Sequence, residues 1–249
     1  MQNLNKGEVL DLVYVNQPEL DLHFVQAESS MLRLHIIHLP QPDVAQSLSM
    51  ESNVVVEQNG AHCITEIYSL SYLTGQSLAK THTHVLHNVA DGTSLQLVKF
   101  VLGDCAKGEF YGELKILPNA QRIDARQTNR NLLLSTDAVM RTRPQLEIYA
   151  DDVKASHGAT TGQLDESALF YMQQRCIDPD TGRRMLLRAF MGDIIDTIRD
   201  EQQRQTIEAQ LDRCAAIKGD GVSQLNPFRP SVDRRQMYAV DTFDKFDKF

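Results

Sequence analysis

Tryptophan is absent from this chain of 249 residues, and Phe and Tyr bring the aromatic share to only 6%. A core built from it must therefore rest on aliphatic packing. Cysteine is sparse: Cys63, Cys105, Cys176 and Cys214 stand far apart and form no Cys-x-x-Cys pair. That excludes a disulfide framework and the usual zinc spacings, and fits reduced thiols in a cytoplasmic protein. Basic residues are outnumbered, with a formal net charge of −8. A generic grip on nucleic acid is disfavoured by that balance, and no nucleic-acid partner is expected. Long apolar runs are also missing. The longest, Val9–Val15 and Leu32–Leu39, are interrupted by Asp, Arg or His and fall far short of the ~20 residues a membrane helix needs. No basic stretch followed by an apolar core opens the chain, so neither a secretory leader nor a membrane role is expected.

Several catalytic signatures are lacking as well. There is no Gly-x-Ser-x-Gly elbow, no Walker phosphate loop and no Gly-x-Gly-x-x-Gly. Ser156 and His157, with Asp151 or Asp152 nearby, carry the residue types of a hydrolase triad. Adjacent residues on a strand point to opposite faces, so Ser156 and His157 cannot form one relay.

What is present is a succession of short β-rich runs from Leu20 to about His157: Met31–Leu39, Asn53–Val56, Cys63–Leu70, His82–Leu86, Ser94–Leu102, Phe110–Leu117, Asn131–Leu134 and Gln145–Ala150. Turn signals punctuate them at Gln58-Asn59-Gly60, Asp91-Gly92, Gly103-Asp104, Lys107-Gly108 and Pro118-Asn119. The pattern predicts a sandwich, a barrel or a β-solenoid. Polar runs with strand-like spacing, such as Gln121–Asn131, tilt it toward a solenoid, in which aliphatic ladders line the inside and polar residues the outside. Residues 1–19 give no clear period, which places the predicted β core at 20–162.

A helical period takes over at 163–219. Asp165 is a candidate N-cap, and Ala168, Leu169, Met172 and Cys176 follow at helical spacing. Asp178-Pro179 ends that stretch, and Thr181 is the expected cap of the next, whose apolar stripe holds Met185, Leu186, Ala189, Phe190, Ile194, Ile195 and Ile198. A third stretch carries Ile207, Leu211, Cys214 and Ile217, with Gly219 as its expected stop. Residues 220–249, ending in a doubled Phe-Asp-Lys, read as a tail without a fold of its own.

Two polar clusters invite functional readings. In Thr81-His82-Thr83-His84-Val85-Leu86-His87, the three imidazoles suggest an autonomous metal-binding module. A β-helix enzyme acting on polysaccharides is a second alternative, and would need acids and bases clustered along one strand face. The third reading comes from Gln145-Leu146-Glu147-Ile148-Tyr149-Ala150-Asp151-Asp152-Val153-Lys154 and Ser156-His157-Gly158-Ala159-Thr160, continuing through Gly162-Gln163-Leu164-Asp165-Glu166. Phe110-Tyr111-Gly112-Glu113-Leu114 and Asp124-Ala125-Arg126-Gln127-Thr128-Asn129-Arg130-Asn131 lie upstream. Together these closely resemble the SufB/SufD family of the SUF iron–sulfur cluster assembly system, on its SufD side; the Glu-His-Glu-Ala-Thr run that marks SufB is missing.

The resemblance implies a right-handed parallel β-helix followed by a small helical segment, and a scaffold role without catalysis. It implies pairing with a SufB-like paralogue, or with a second copy, and capture of a SufC-like ABC ATPase by the C-terminal helices. The anchors expected for that capture are Phe170, Tyr171, Leu186 and Phe190. It makes His157 the candidate metal ligand within the complex, with no cofactor in the isolated chain and a transient iron or iron–sulfur cluster as cargo. Ala155 stands where many relatives have Cys, and Cys176 where Gly is common. Family members normally carry a helical region before the β-helix, so a longer protein is one expectation here.

Overall fold

The computed structural model describes residues 1–40 and 47–216. Among them are twelve strands and then three helices. The strands are β1 (Gln2–Leu4), β2 (Val9–Val15), β3 (Glu19–Gln26), β4 (Met31–His38), β5 (Ser49–Gln58), β6 (Ile64–Leu73), β7 (Leu78–His87), β8 (Thr93–Leu102), β9 (Lys107–Ile116), β10 (Ile123–Leu133), β11 (Val139–Ile148) and β12 (Val153–Gly162). Odd strands form one six-stranded sheet in the order β1-β3-β5-β7-β9-β11 and even strands the other, β2-β4-β6-β8-β10-β12. Every pairing is parallel. The chain thus coils as a parallel β-solenoid, as expected, with one strand of each sheet per coil. Partners one coil apart are 22 residues distant at Lys6 and Glu28, 29 at Gly75 and Asp104, and 33 at Arg33 and Glu66.

Stacking turns alternate positions into ladders. One inward ladder runs Phe24, Val56, Val85, Leu114, Leu146, built from aromatic, β-branched and leucine side chains. The inside is not purely aliphatic, however. Gln26, Gln58 and His87 form a polar ladder beside it, and Thr83, Gln96, Gln127, Asn129 and Asn131 are also buried. These groups bond across the lumen: Gln58 Nε2 donates to Thr65 Oγ1 (2.8 Å), Thr83 Oγ1 to Gln96 Oε1 (2.7 Å), and His87 Nε2 hydrogen-bonds with Ser94 Oγ (2.9 Å). Gly60 is fitted to the turn it signals, because a Cβ there would lie 2.0 Å from the Glu28 backbone N of the preceding coil.

The β region begins earlier than the periodicity suggested. Residues 1–19 contain β1 and β2, whose ladder contacts are with one neighbouring strand each and leave little alternation to read. The polar run Gln121–Asn131 supplies most of β10.

Helices α1 (Glu166–Gln173), α2 (Pro179–Ile195) and α3 (Glu201–Ala216) follow. Asp165 caps α1 as expected, its carboxylate accepting from the Ser167 and Ala168 amides. The cap of α2 is Asp178, not Thr181. Its carboxylate accepts from the Asp180 and Thr181 amides and Pro179 opens the first turn, where a missing N–H costs nothing. The hydrogen bonds from Thr181 hold the Asp178 carboxyl below its ordinary range. The expected stop at Gly219 and the tail at 220–249 lie outside the described residues.

Helices α2 and α3 lie on the outer face of the even sheet. Leu187, Met191, Ile194, Ile195, Ile198, Ile207 and Leu211 bury against Ile37, Tyr68, Leu70, Tyr72, Val101 and Leu132. Each such aliphatic side chain contributes about 1.5–3 kcal/mol over its exposed state. The outside of β4 is buried for this reason, including Arg33, His35 and Ile37. The outer face of the odd sheet stays polar.

Candidate functional site

Among the described residues nothing continues the sheets past the last coil. There β11 pairs only with β9 and β12 only with β10, so one edge of each ten-residue strand carries backbone groups without a ladder partner among those residues. Such edges are templates for another chain. The inward row of β12 is Val153, Ala155, His157, Ala159 and Thr161, stacked on Ile123, Ala125, Gln127, Asn129 and Asn131 of β10. Beneath, the row is buried; at β12 it is largely exposed.

His157 is the one ionisable residue of that terminal row. Below it lies a floor of carboxamides. Gln127 Nε2 donates to Gln96 Oε1 (3.3 Å), Asn131 Nδ2 to Asn129 Oδ1 (2.6 Å) and to Thr161 Oγ1 (3.2 Å), and Thr142 Oγ1 to Asn129 Oδ1 (2.9 Å). Ser156 falls in the outward row with Lys154, Gly158 and Thr160, so the hydrolase relay is absent by strand parity. At the rim, Lys115 meets Glu147 (2.8 Å) and Tyr149 stands exposed. The Lys115 hydrogen bond holds the Glu147 carboxyl low. A single imidazole beside Ala155 offers one metal ligand and no thiolate, so on its own it is a fraction of a coordination shell.

The His-rich strand does not converge. His82 and His84 share the outer face of β7, where His82 lies edge-on to Tyr111 and His84 pairs with Glu113 (3.1 Å). His87 points inward, fully buried, and burial pushes its imidazole down to about 4. Among the described residues no group of three or more His, Cys, Asp or Glu is placed to hold a metal ion.

The helical flank divides the four expected anchors. Phe170 and Tyr171 of α1 are 62% and 58% exposed, and Met185 of α2 joins them at 49%. Leu186 is half-buried. Phe190 faces the solenoid instead: Lys99 Nζ sits 4.6 Å from its ring centre. Next to Met185 runs a groove of about 510 Å³ lined by Leu187, Met191 and Leu211, with Arg184 and Arg188 also on it.

Lys99 was not singled out in the sequence. It is 1% exposed, on the outer face of β8, and donates to the Phe190 carbonyl and to Asp193 Oδ2, each at 2.6 Å. Burial lowers its amino group, and Asp193 works against that. His35 plays a similar part near the other end of the helical flank, stacked on Tyr68 and bonded to Thr197 Oγ1 (2.9 Å). A lone lysine in an apolar strand run was the only available signal for the first.

The described residues thus give a parallel solenoid whose last coil has an open edge, a lone imidazole on that edge and an exposed apolar patch on the helical flank. Comparison with known proteins gives that solenoid a family. The SUF system FeS cluster assembly, SufBD core domain, matches residues 22–190, and the chain belongs to this family. It is 35% identical over 162 residues to the iron-sulfur cluster assembly protein SufD of Escherichia coli (strain K12), covering 65% of this chain and 38% of that one. To an iron-sulfur cluster assembly SufBD family protein of Synechocystis sp. it is 34% identical over 166 residues, 67% of this chain and 36% of the relative. Protein ABCI7, chloroplastic, of Arabidopsis thaliana is 34% identical over 153 residues, 61% and 32% respectively. The chain thus spans well under half the length of these relatives.

Proposed function

We propose that this chain is a scaffold subunit of iron–sulfur cluster assembly that catalyses no reaction of its own and is gripped at two places. The open β11–β12 end receives a SufB-like β-helix, or a second copy of this chain, and the exposed α1–α2 surface receives a SufC-like ATPase. The observation that carries the reading is the position of His157: one metal ligand on an uncovered solenoid end, which becomes useful when an apposed chain supplies the rest of the shell. Iron or a nascent cluster is the cargo of that junction.

The outer face of the odd sheet lends no support to a polysaccharide-cleaving site. Several of its acids are met by bases on adjacent strands, as in Glu57 with His23, Glu113 with His84, Glu109 with Arg141 and Glu51 with Lys80.

Co-expression with SufB-like and SufC-like partners, purification of the complex and visible absorption of the cluster test the proposal. His157→Ala is expected to leave the complex intact and to reduce cluster content at least several-fold; normal maturation refutes the site. Deleting the helices is a poor test of ATPase binding, because it bares the apolar outer face of the even sheet. The double variant Phe170→Ala, Tyr171→Ala alters exposed side chains only, and is expected to weaken ATPase capture in a pull-down without changing thermal stability. Undiminished capture refutes that anchor.

A further inference from the structure

Below His157 two buried amide atoms are left without a partner, Gln127 Oε1 directly beneath it and Gln96 Nε2 one coil further down. Gln127 is 2% exposed and is the direct register neighbour of His157, one strand spacing away, about 4.8 Å. Its Nε2 is committed downward: Thr83 donates to Gln96 Oε1, and that same oxygen accepts from Gln127 Nε2. The other end of the amide, Gln127 Oε1, is buried and unbonded. The backbone opposite is shaped to admit this amide, since a Cβ at Gly112 would sit 2.4 Å from Gln127 Nε2.

From this geometry we infer that Gln127 is a positioning residue for His157: its Oε1 accepts one ring N–H of His157, so that the remaining ring nitrogen presents its lone pair away from the solenoid end. An amide whose nitrogen is held by the coil below directs its oxygen away from that coil, and an unpaired buried carbonyl costs free energy that a neighbouring N–H removes. His157 is exposed and free to turn toward it. A metal-binding imidazole whose second nitrogen donates to a fixed acceptor is locked in one tautomer and made more basic. The column Thr83, Gln96, Gln127 then acts as a rigid post reaching from the middle of the solenoid to the ligand. This inference rests on the reading of His157 as a ligand, and concerns what orients it.

The test is nitrogen-15 NMR of the full chain with labelled histidine, at a pH where the ring is neutral, with His157→Gln identifying the signal. Wild type is expected to show predominantly one tautomer. Gln127→Met removes the acceptor and is expected to convert that signal to a mixture, whereas Gln127→Glu retains an acceptor and is expected to keep the wild-type tautomer. If Gln127→Met does not fold, Gln127→Asn withdraws the carbonyl by one methylene and is expected to give the mixture. A mixture in wild type, or the same tautomer population in wild type and the acceptor-withdrawing variant, overturns the inference. No iron is used, so normal maturation by His157→Ala would refute the ligand reading and leave this result standing, and the converse also holds.

Discussion

Acid should unfold this protein from the inside, and the effect can be traced to single imidazoles. His35, His38 and His87 are fully buried, and burial lowers each from 6.5 to about 4. His38 bonds Ser71 Oγ (3.0 Å) and His87 bonds Ser94 Oγ, and the second ring nitrogen of each is unpartnered. The folded state therefore holds these rings neutral, while the unfolded chain protonates them below about pH 6.5. Their stabilising contribution is complete above that pH and is lost as pH falls toward 4. At about 1.36 kcal/mol per pK unit, His38 and His87 each lose about 3 kcal/mol across the window, and the pair about 6 kcal/mol, comparable with the whole stability of many domains. His87→Met isolates one term. It removes the Ser94 bond, at about 1 kcal/mol near pH 7, but relieves about 2–3 kcal/mol of proton linkage at pH 4.5. The variant should be less stable than wild type at neutral pH and more stable at pH 4.5, with the curves crossing between. Urea unfolding followed by far-UV circular dichroism at half-unit steps from pH 7.5 to 4.5 measures this. Parallel curves for the two proteins, or a wild-type stability that does not fall between pH 6.5 and 5, would refute the reasoning.

Three further outcomes follow from the packing. Asp193→Asn leaves the buried Lys99 ammonium with a weaker partner and should cost about 2 kcal/mol, read as faster hydrogen exchange in α2 with the inner strands unchanged. Gly60→Ala drives a Cβ into the Glu28 backbone and should cost at least about 3 kcal/mol in urea unfolding, whereas Gly158→Ala, which meets nothing within 4 Å, should stay within about 0.5 kcal/mol. Thr81→Val replaces a buried hydroxyl that has no partner with a methyl group and should raise the melting temperature or leave it unchanged; a clear drop would reveal an unrecognised partner.

Much of the fold was legible because turn chemistry marks coil boundaries even where strand composition does not. Gln58-Asn59-Gly60 and Asp91-Gly92 both sit between consecutive strands, and the switch to helix falls at Asp165 because a capping carboxylate is a local signal. The coil itself was harder to see. Its length varies from 22 to 33 residues between Lys6–Glu28 and Arg33–Glu66, so no fixed repeat emerges. The inward rows include Gln58, His87, Gln127 and Asn129, which read as surface residues until the lumen supplies their partners. Strand parity was enough to separate Ser156 from His157, and it also puts His87 on the face opposite His84, which grouping the three imidazoles as one metal-binding module overlooks. Which of two faces is the inside was not in the period, and neither was the role of Lys99, whose partners on α2 lie 91 and 94 residues along the chain. Cys176 has a left-handed backbone, φ 61°, a conformation that glycine adopts without the steric cost a side chain brings.

The way α2 and α3 are seated changes how the molecule carries force. A stack of coils bonded only to nearest neighbours peels from its end one rung at a time. Here one apolar strap bears on Ile37 of β4, Tyr68 of β6, Val101 of β8 and Leu132 of β10, with Lys99 pinning it midway. A tug on the helices is then shared as shear among four consecutive rungs, so the terminal rung can be moved as part of a stiff lever instead of being stripped away.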